Sequence, residues 1–133
     1  MKDENLIRVK INKAEQRLLE AKVLFENKFY DAVINRLYYA LFYSINGCLL
    51  VEDVIVKTHS GAKNKFHLLF IKQRIISETT GKLIDYLFGL RSDADYDDFT
   101  TYSREDVEPL LDETNTAILE IRKWLESQLN KGK

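Results

Sequence analysis

The stretch DAVINRLYYALFYSINGCLLVE, Asp31–Glu52, decides how this chain folds. Set on a helix at about 100° per residue, Ile34, Leu37, Tyr38, Leu41, Phe42, Ile45, Cys48 and Leu49 share one face. The opposite face carries Asn35, Arg36, Tyr39, Tyr43, Asn46 and Gly47. Arg36 is the only charge between Asp31 and Glu52. A helix this apolar is covered on most sides, so it belongs at the centre of a helical protein. Its polar groups then need internal partners, because an unpaired buried charge costs several kcal/mol. The same polar groups make Ala32–Val51 unsuitable as a membrane span.

Upstream, Ile7, Ile11, Ala14, Leu18, Ala21 and Phe25 recur at alternating spacings of four and three, with Glu and Lys between them. That is one apolar stripe on a first helix, capped by Asp3 or Asn5 and ending near Asn27. Downstream, Val54-Ile55-Val56 is too short a β-branched run for a sheet. Thr58 or Ser60 caps a third helix near Gly61–Lys72, with Ala62, Phe66, Leu69 and Phe70 inward. A fourth helix runs from about Glu78 to Tyr96 on Leu83, Leu87, Leu90 and Ala94, and Asp97–Tyr102 reads as a loop. Ser103 caps a fifth, with Asp106 at its third position and Pro109 in its first two turns. Its stripe is Val107, Leu110, Leu111, Thr114, Ile118, Ile121 and Leu125.

Composition agrees. The 133 residues hold five Gly and one Pro, too few turn formers for a sandwich or barrel. A single Cys excludes an intrachain disulfide framework and fits a reducing compartment. The charged N-terminus Met1–Asn5 does not read as a secretory signal, so a soluble cytoplasmic protein is expected. The expected fold is all-α: one domain over residues 1–133, an antiparallel up-and-down bundle of four long helices plus one short one.

The net charge of −1 excludes a strongly basic nucleic-acid coat, yet it hides an uneven distribution. Residues 57–82 carry a net +5 and residues 93–113 a net −8. Solvated helix faces account for both; a basic surface for phosphate or RNA opposite an acidic surface for a partner is the functional alternative. Asp93-Ala94-Asp95-Tyr96-Asp97-Asp98 starts like a calcium loop but lacks its glycine and its closing glutamate. His59 and His67 are eight apart, about 12 Å on a helix and too far to chelate one metal. His67 reads as a helix-surface residue, and Cys48 as a core thiol. His59, beside Thr58 and Ser60 at a helix start, reads either as capping and packing or as part of a ligand site. Arg91 and Asp95, at i,i+4, fall on the apolar side of their helix, with Arg36 and Tyr39 as the natural counterparts. They form either a structural polar network or a pocket facing a ligand or partner.

Three segments together resemble the small prokaryotic HEPN-domain proteins (higher eukaryotes and prokaryotes nucleotide-binding). They are Asn35-Arg36-Leu37-Tyr38-Tyr39-Ala40-Leu41-Phe42-Tyr43, Lys57-Thr58-His59-Ser60-Gly61 and Leu90-Arg91-Ser92-Asp93-Ala94-Asp95-Tyr96. The resemblance runs from about Ala14 to Leu125. It implies a dimerising helical bundle associated with a separately encoded minimal nucleotidyltransferase, often in toxin–antitoxin-like pairs. Many family members are metal-independent RNases using an Arg followed four to six residues later by His. Here neither histidine has an Arg at that distance before it, and Asp95-Tyr96 stands where a His should follow Arg91. Asp cannot replace the imidazole that exchanges a proton near neutral pH.

The resulting expectation is a non-catalytic HEPN module that homodimerises and binds a nucleotidyltransferase partner or a nucleotide. Arg36, Tyr39, Arg91, Asp95 and Tyr96 form its polar site, with His59 and Ser60 nearby. No catalytic residue, metal ligand or resident cofactor is assigned, and RNA is a candidate partner. The alternatives are an RNase toxin with a degenerate site and a purely structural helical dimer.

Overall fold

The computed structural model describes residues 3–96 and 100–131, with the side chains of 93–96 excepted. Its helices are α1 (Glu4–Glu26), α2 (Tyr30–Val51), α3 (His59–Phe66), α4 (Glu78–Tyr96) and α5 (Arg104–Asn130), with a π turn, His67–Ile71, directly after α3. Four helices are long and one is short, and there is no strand among the described residues. The fold is the expected all-α antiparallel bundle.

The helix starts follow from capping chemistry. The Asp3 carboxylate accepts from the Leu6 backbone N–H at 3.0 Å, and the Thr58 hydroxyl from Gly61 N–H at 2.9 Å. Gly61 is required for that close approach, since a Cβ there would lie 2.7 Å from Thr58 Oγ1. Ser103 and Asp106 form a reciprocal capping box at the start of α5. Glu120, reaching across from α5, accepts from Ser77 N–H, Ser77 Oγ and Thr80 Oγ1 at 2.7–2.8 Å and so fixes the start of α4.

α2 packs against α1, α3, α4 and α5, as its apolar girth requires. Ile34, Leu37, Leu41 and Leu49 are fully buried, meeting Ile7, Phe66, Phe70, Leu87, Ile121 and Leu125 in one core. Cys48 is among them, and burial pushes its thiol well above the ordinary range. Gly47, on the polar side of α2 by periodicity, is buried because α5 comes close: a Cβ there would sit 3.1 Å from Leu125 Cδ1.

The third segment departs from expectation. A regular helix over 61–72 gives way to eight α-helical residues followed by the π turn, closed by Lys72 N–H to His67 O at 2.8 Å. Phe66 and Phe70 stack at 5.1 Å, and Trp124 of α5 meets Phe70 edge-on at 4.9 Å.

Candidate functional site

The polar face of α2 divides into two parts. Arg36 is not the interior charge that periodicity suggests. Its side chain is 39% exposed; its Nε–H donates to Glu20 of α1 at 2.8 Å, and its Nη1–H to Asn35 at 2.6 Å. The α1–α2 seam is open enough there for the guanidinium to find a carboxylate and water together. An exposed pair of this kind contributes little to stability.

Tyr38 and Tyr39, a turn further along, reach the other way, toward α3 and α4. The Arg91 guanidinium carbon lies 5.3 Å from the Tyr38 ring centre and 5.6 Å from the Tyr39 ring centre, and Arg91 Nη2–H donates to the Tyr39 hydroxyl at 3.2 Å. His59, the first residue of α3, enters the same cluster. It stacks on Phe42 at 4.1 Å, faces Tyr38 and Tyr39 at 5.8 and 5.9 Å, and shares a 2.7 Å hydrogen bond between its Nδ1 and the Tyr38 hydroxyl. Phe88 of α4 closes the cluster behind Tyr38.

The electrostatics fix the charge state of that pair. Tyr38 is almost fully buried, and desolvation raises its hydroxyl to about 12 despite the opposing pull of Arg91. His59 is pushed below its ordinary value, first by burial and then by the Arg91 charge. At neutral pH both groups are therefore uncharged, and the bond forms in either imidazole tautomer: Tyr38 O–H donates to Nδ1 with the ring proton on Nε2, or Nδ1–H donates to the Tyr38 oxygen and Nε2 is left to accept. With the ring proton on Nε2 the cluster presents an imidazole N–H beside a guanidinium, a donor set suited to an oxyanion.

Of the residues singled out in the sequence, Tyr39, His59 and Arg91 come together. Ser60 is the next residue of α3 and is exposed. Arg36 lies on the far side of Tyr39, held by Glu20. The side chains of Asp95 and Tyr96 lie outside the described residues. Tyr38 and Phe42 were read as packing residues and prove to be the platform for His59; their spacing from it, 21 residues for Tyr38, gives no local signal. His67, read as a surface residue, is half-buried and held by Asp85 at 2.9 Å. Among the described residues no group of three His, Cys, Asp or Glu could hold a metal ion. No helix there is long and apolar enough to cross a membrane.

A groove of about 770 Å³ lies elsewhere, between α4 and α5. Two of its carboxylates are engaged in holding the fold, Asp106 by Ser103 and Glu120 by Ser77 and Thr80. Hydrogen bonds from Ser103 hold the Asp106 carboxyl below its usual value.

A sequence model of the HEPN domain matches residues 7–126. Two Methanocaldococcus jannaschii proteins named "Putative toxin" are similar. One is 36% identical over 92% of this chain and 91% of its own, the other 31% identical over 89% and 80%. A Thermotoga maritima UPF0332 protein is 28% identical over 92% and 93%. The crystal structure of an archaeal HEPN homologue superposes with a TM-score of 0.64, covering 92% of this chain and 97% of that one at 18% identity, a likeness of fold.

Proposed function

The chain belongs to the HEPN domain family, and on that premise we propose that it is the toxin-type member of a two-component pair, acting by binding RNA phosphate at the Arg91–Tyr39–His59 site. The observation that carries this reading is the meeting of Arg91 and His59 over the same two tyrosine rings. They are 32 positions apart in sequence, so neither is a neighbour of the other by helix periodicity. A guanidinium matches two phosphate oxygens at once, and the imidazole N–H supplies a further donor. Tyr39 offers a ring edge and a hydroxyl to an adjoining base or sugar.

Asp95 and Tyr96, one turn beyond Arg91 in sequence, and Ser60 beside His59 complete the proposed site. In this reading the chain homodimerises, a minimal nucleotidyltransferase is its partner, and a free nucleotide competes with RNA. Family membership and the "Putative toxin" name of two relatives support the two-component role.

In this reading Tyr38 donates to His59 Nδ1 and Nε2 carries the ring proton, so the resting imidazole has no lone pair for a 2′-hydroxyl proton and the site binds rather than cleaves. Incubation with total RNA in the absence of metal tests it. The expected outcome is bound, intact RNA, with affinity reduced at least about tenfold in Arg91→Ala, the loss of one charge-assisted hydrogen bond. A protein that binds neither RNA nor nucleotide contradicts the proposal. The placement of His59 beside Arg91 favours one second reading, metal-independent RNA cleavage. Cleavage lost in both Arg91→Ala and His59→Ala replaces the binding reading with that one.

A further inference from the structure

Along the seam between α1 and α2, two stripes face each other. α1 contributes Lys10, Lys13, Arg17 and Glu20, at spacings of three and four that align them on one side of the helix. α2 contributes Tyr43, Tyr39 and Arg36 in the antiparallel direction. Lys10 Nζ and Lys13 Nζ lie 5.5 and 5.4 Å from the centre of the Tyr43 ring, so one aromatic ring gathers two positive charges. At the other end Arg17 and Arg36 share the single carboxylate of Glu20, at 2.7 and 2.8 Å. Arg17 Nε–H is left with no hydrogen-bond acceptor among the described residues. Between the two ends is an open depression of about 390 Å³ lined by Arg17, Glu20, Asn35, Arg36, Tyr39 and Tyr43.

Arg17, Arg36 and Glu20 line the depression and Lys10 and Lys13 stand at its Tyr43 end, so four cations and one acid along the seam leave a surplus of three positive charges. Neither Lys10 nor Lys13 is in an ion pair among the described residues. From Arg36 to Tyr43 the α2 axis rises about 10 Å, so the two cation pairs stand at separate points along the trough. Tyr39 belongs both to this trough and to the Arg91–His59 cluster. Cations interleaved with aromatic rings along one groove are the physical requirement for a sequence-tolerant single-strand track.

We infer that the α1–α2 seam is a second RNA subsite, continuous with the first at Tyr39, which holds the backbone of single-stranded RNA extending from the nucleotide at Arg91. The Lys10–Lys13 pair takes one phosphate and the Arg17–Arg36 pair another. This inference rests on the RNA reading of the Arg91 site and extends the ligand from one nucleotide to a single strand.

The test is fluorescence anisotropy of a labelled oligouridylate long enough to run the seam, with uridine monophosphate as competitor, over a range of salt concentrations. The variant is the double substitution Lys10→Gln, Lys13→Gln, which removes two solvent-reaching ammoniums and no core contact. The log–log salt slope for the oligomer falls by about 0.7, one phosphate contact on a single strand. The monophosphate binds as tightly as to the unaltered protein. Arg91→Ala, by contrast, weakens both ligands. An unchanged slope and affinity for the oligomer in the lysine variant, while Arg91→Ala still weakens binding, overturns the subsite and leaves the Arg91 site standing. The same unchanged affinity with a dimer that falls to monomer in light scattering makes the seam a protein interface and likewise overturns it. Failure of the unaltered protein to bind either ligand removes both sites.

Discussion

At the scale of single residues, the telling group is His59. Its imidazole is held neutral by burial and by the neighbouring Arg91 charge, while Tyr38 supplies the hydrogen bond that keeps Nδ1 occupied. A folded-state pKa below the unfolded value has a definite consequence for stability. Below the unfolded value, near 6.5, the unfolded chain takes up a proton that the folded chain does not. The associated stability is fully present above about 6.5 and is lost as pH falls through the depressed folded value. Arg91→Ala removes the second of the two causes, so His59 should titrate at higher pH in that variant, and its acid-linked loss of stability should shrink. Imidazole NMR titration together with denaturant unfolding at several pH values checks both. A His59 pKa equal in the two proteins would separate Arg91 from the site. Arg91 was legible as a charge on the apolar side of its helix, Tyr39 by its place on the polar face of α2, and His59 by its place beside Thr58 and Ser60 at a helix start. Arg36 was misplaced because its partner, Glu20, is chosen by how α1 lies on α2, and periodicity within α2 carries no trace of that.

At the scale of elements, the helices end as informatively as they begin. Lys28, Asp53 and Arg74 have φ of 65°, 55° and 60°, left-handed conformations with no glycine at any of the three. Each sits in the same pair of backbone bonds. After α1 these are Lys28 N–H to Phe25 O at 3.1 Å and Phe29 N–H to Leu24 O at 2.9 Å, and the pattern repeats at Asp53–Val54 and Arg74–Ile75. This is the Schellman closure, made here with side chains that resist it. Lys28→Gly removes the Cβ penalty against a smaller entropic cost in the unfolded chain, so it should stabilise by about 0.5–1 kcal/mol, an upward melting shift of a few degrees. Calorimetry that shows destabilisation would refute the strain. The five helices were legible because stripes and caps are local, and the Ser103–Asp106 box could be read directly from the residues. The π turn was not, since an extra residue in a helix turn leaves apolar spacing nearly unchanged over five residues.

At the scale of the molecule, the core and the candidate site are largely separate. The buried apolar cluster runs the length of α2, while Tyr39, His59 and Arg91 gather at its rim with only partial burial. Substitutions at the rim can therefore report on binding without dismantling the bundle. The all-α architecture was legible because few glycines and one proline leave helices as the only economical fold. The convergence of α2, α3 and α4 on one point was not, because it depends on packing between segments up to 52 residues apart. The central claim is that Arg91 and His59 receive an RNA phosphate. With only two histidines in the chain, and His67 held by Asp85, the imidazole resonances give a probe and an internal reference in one spectrum. Titrating the protein with a short oligoribonucleotide should shift the His59 signals and raise its pKa, because a nearby anion favours the imidazolium, while His67 stays in place. His59 resonances and pKa that do not move at saturating RNA would contradict the account.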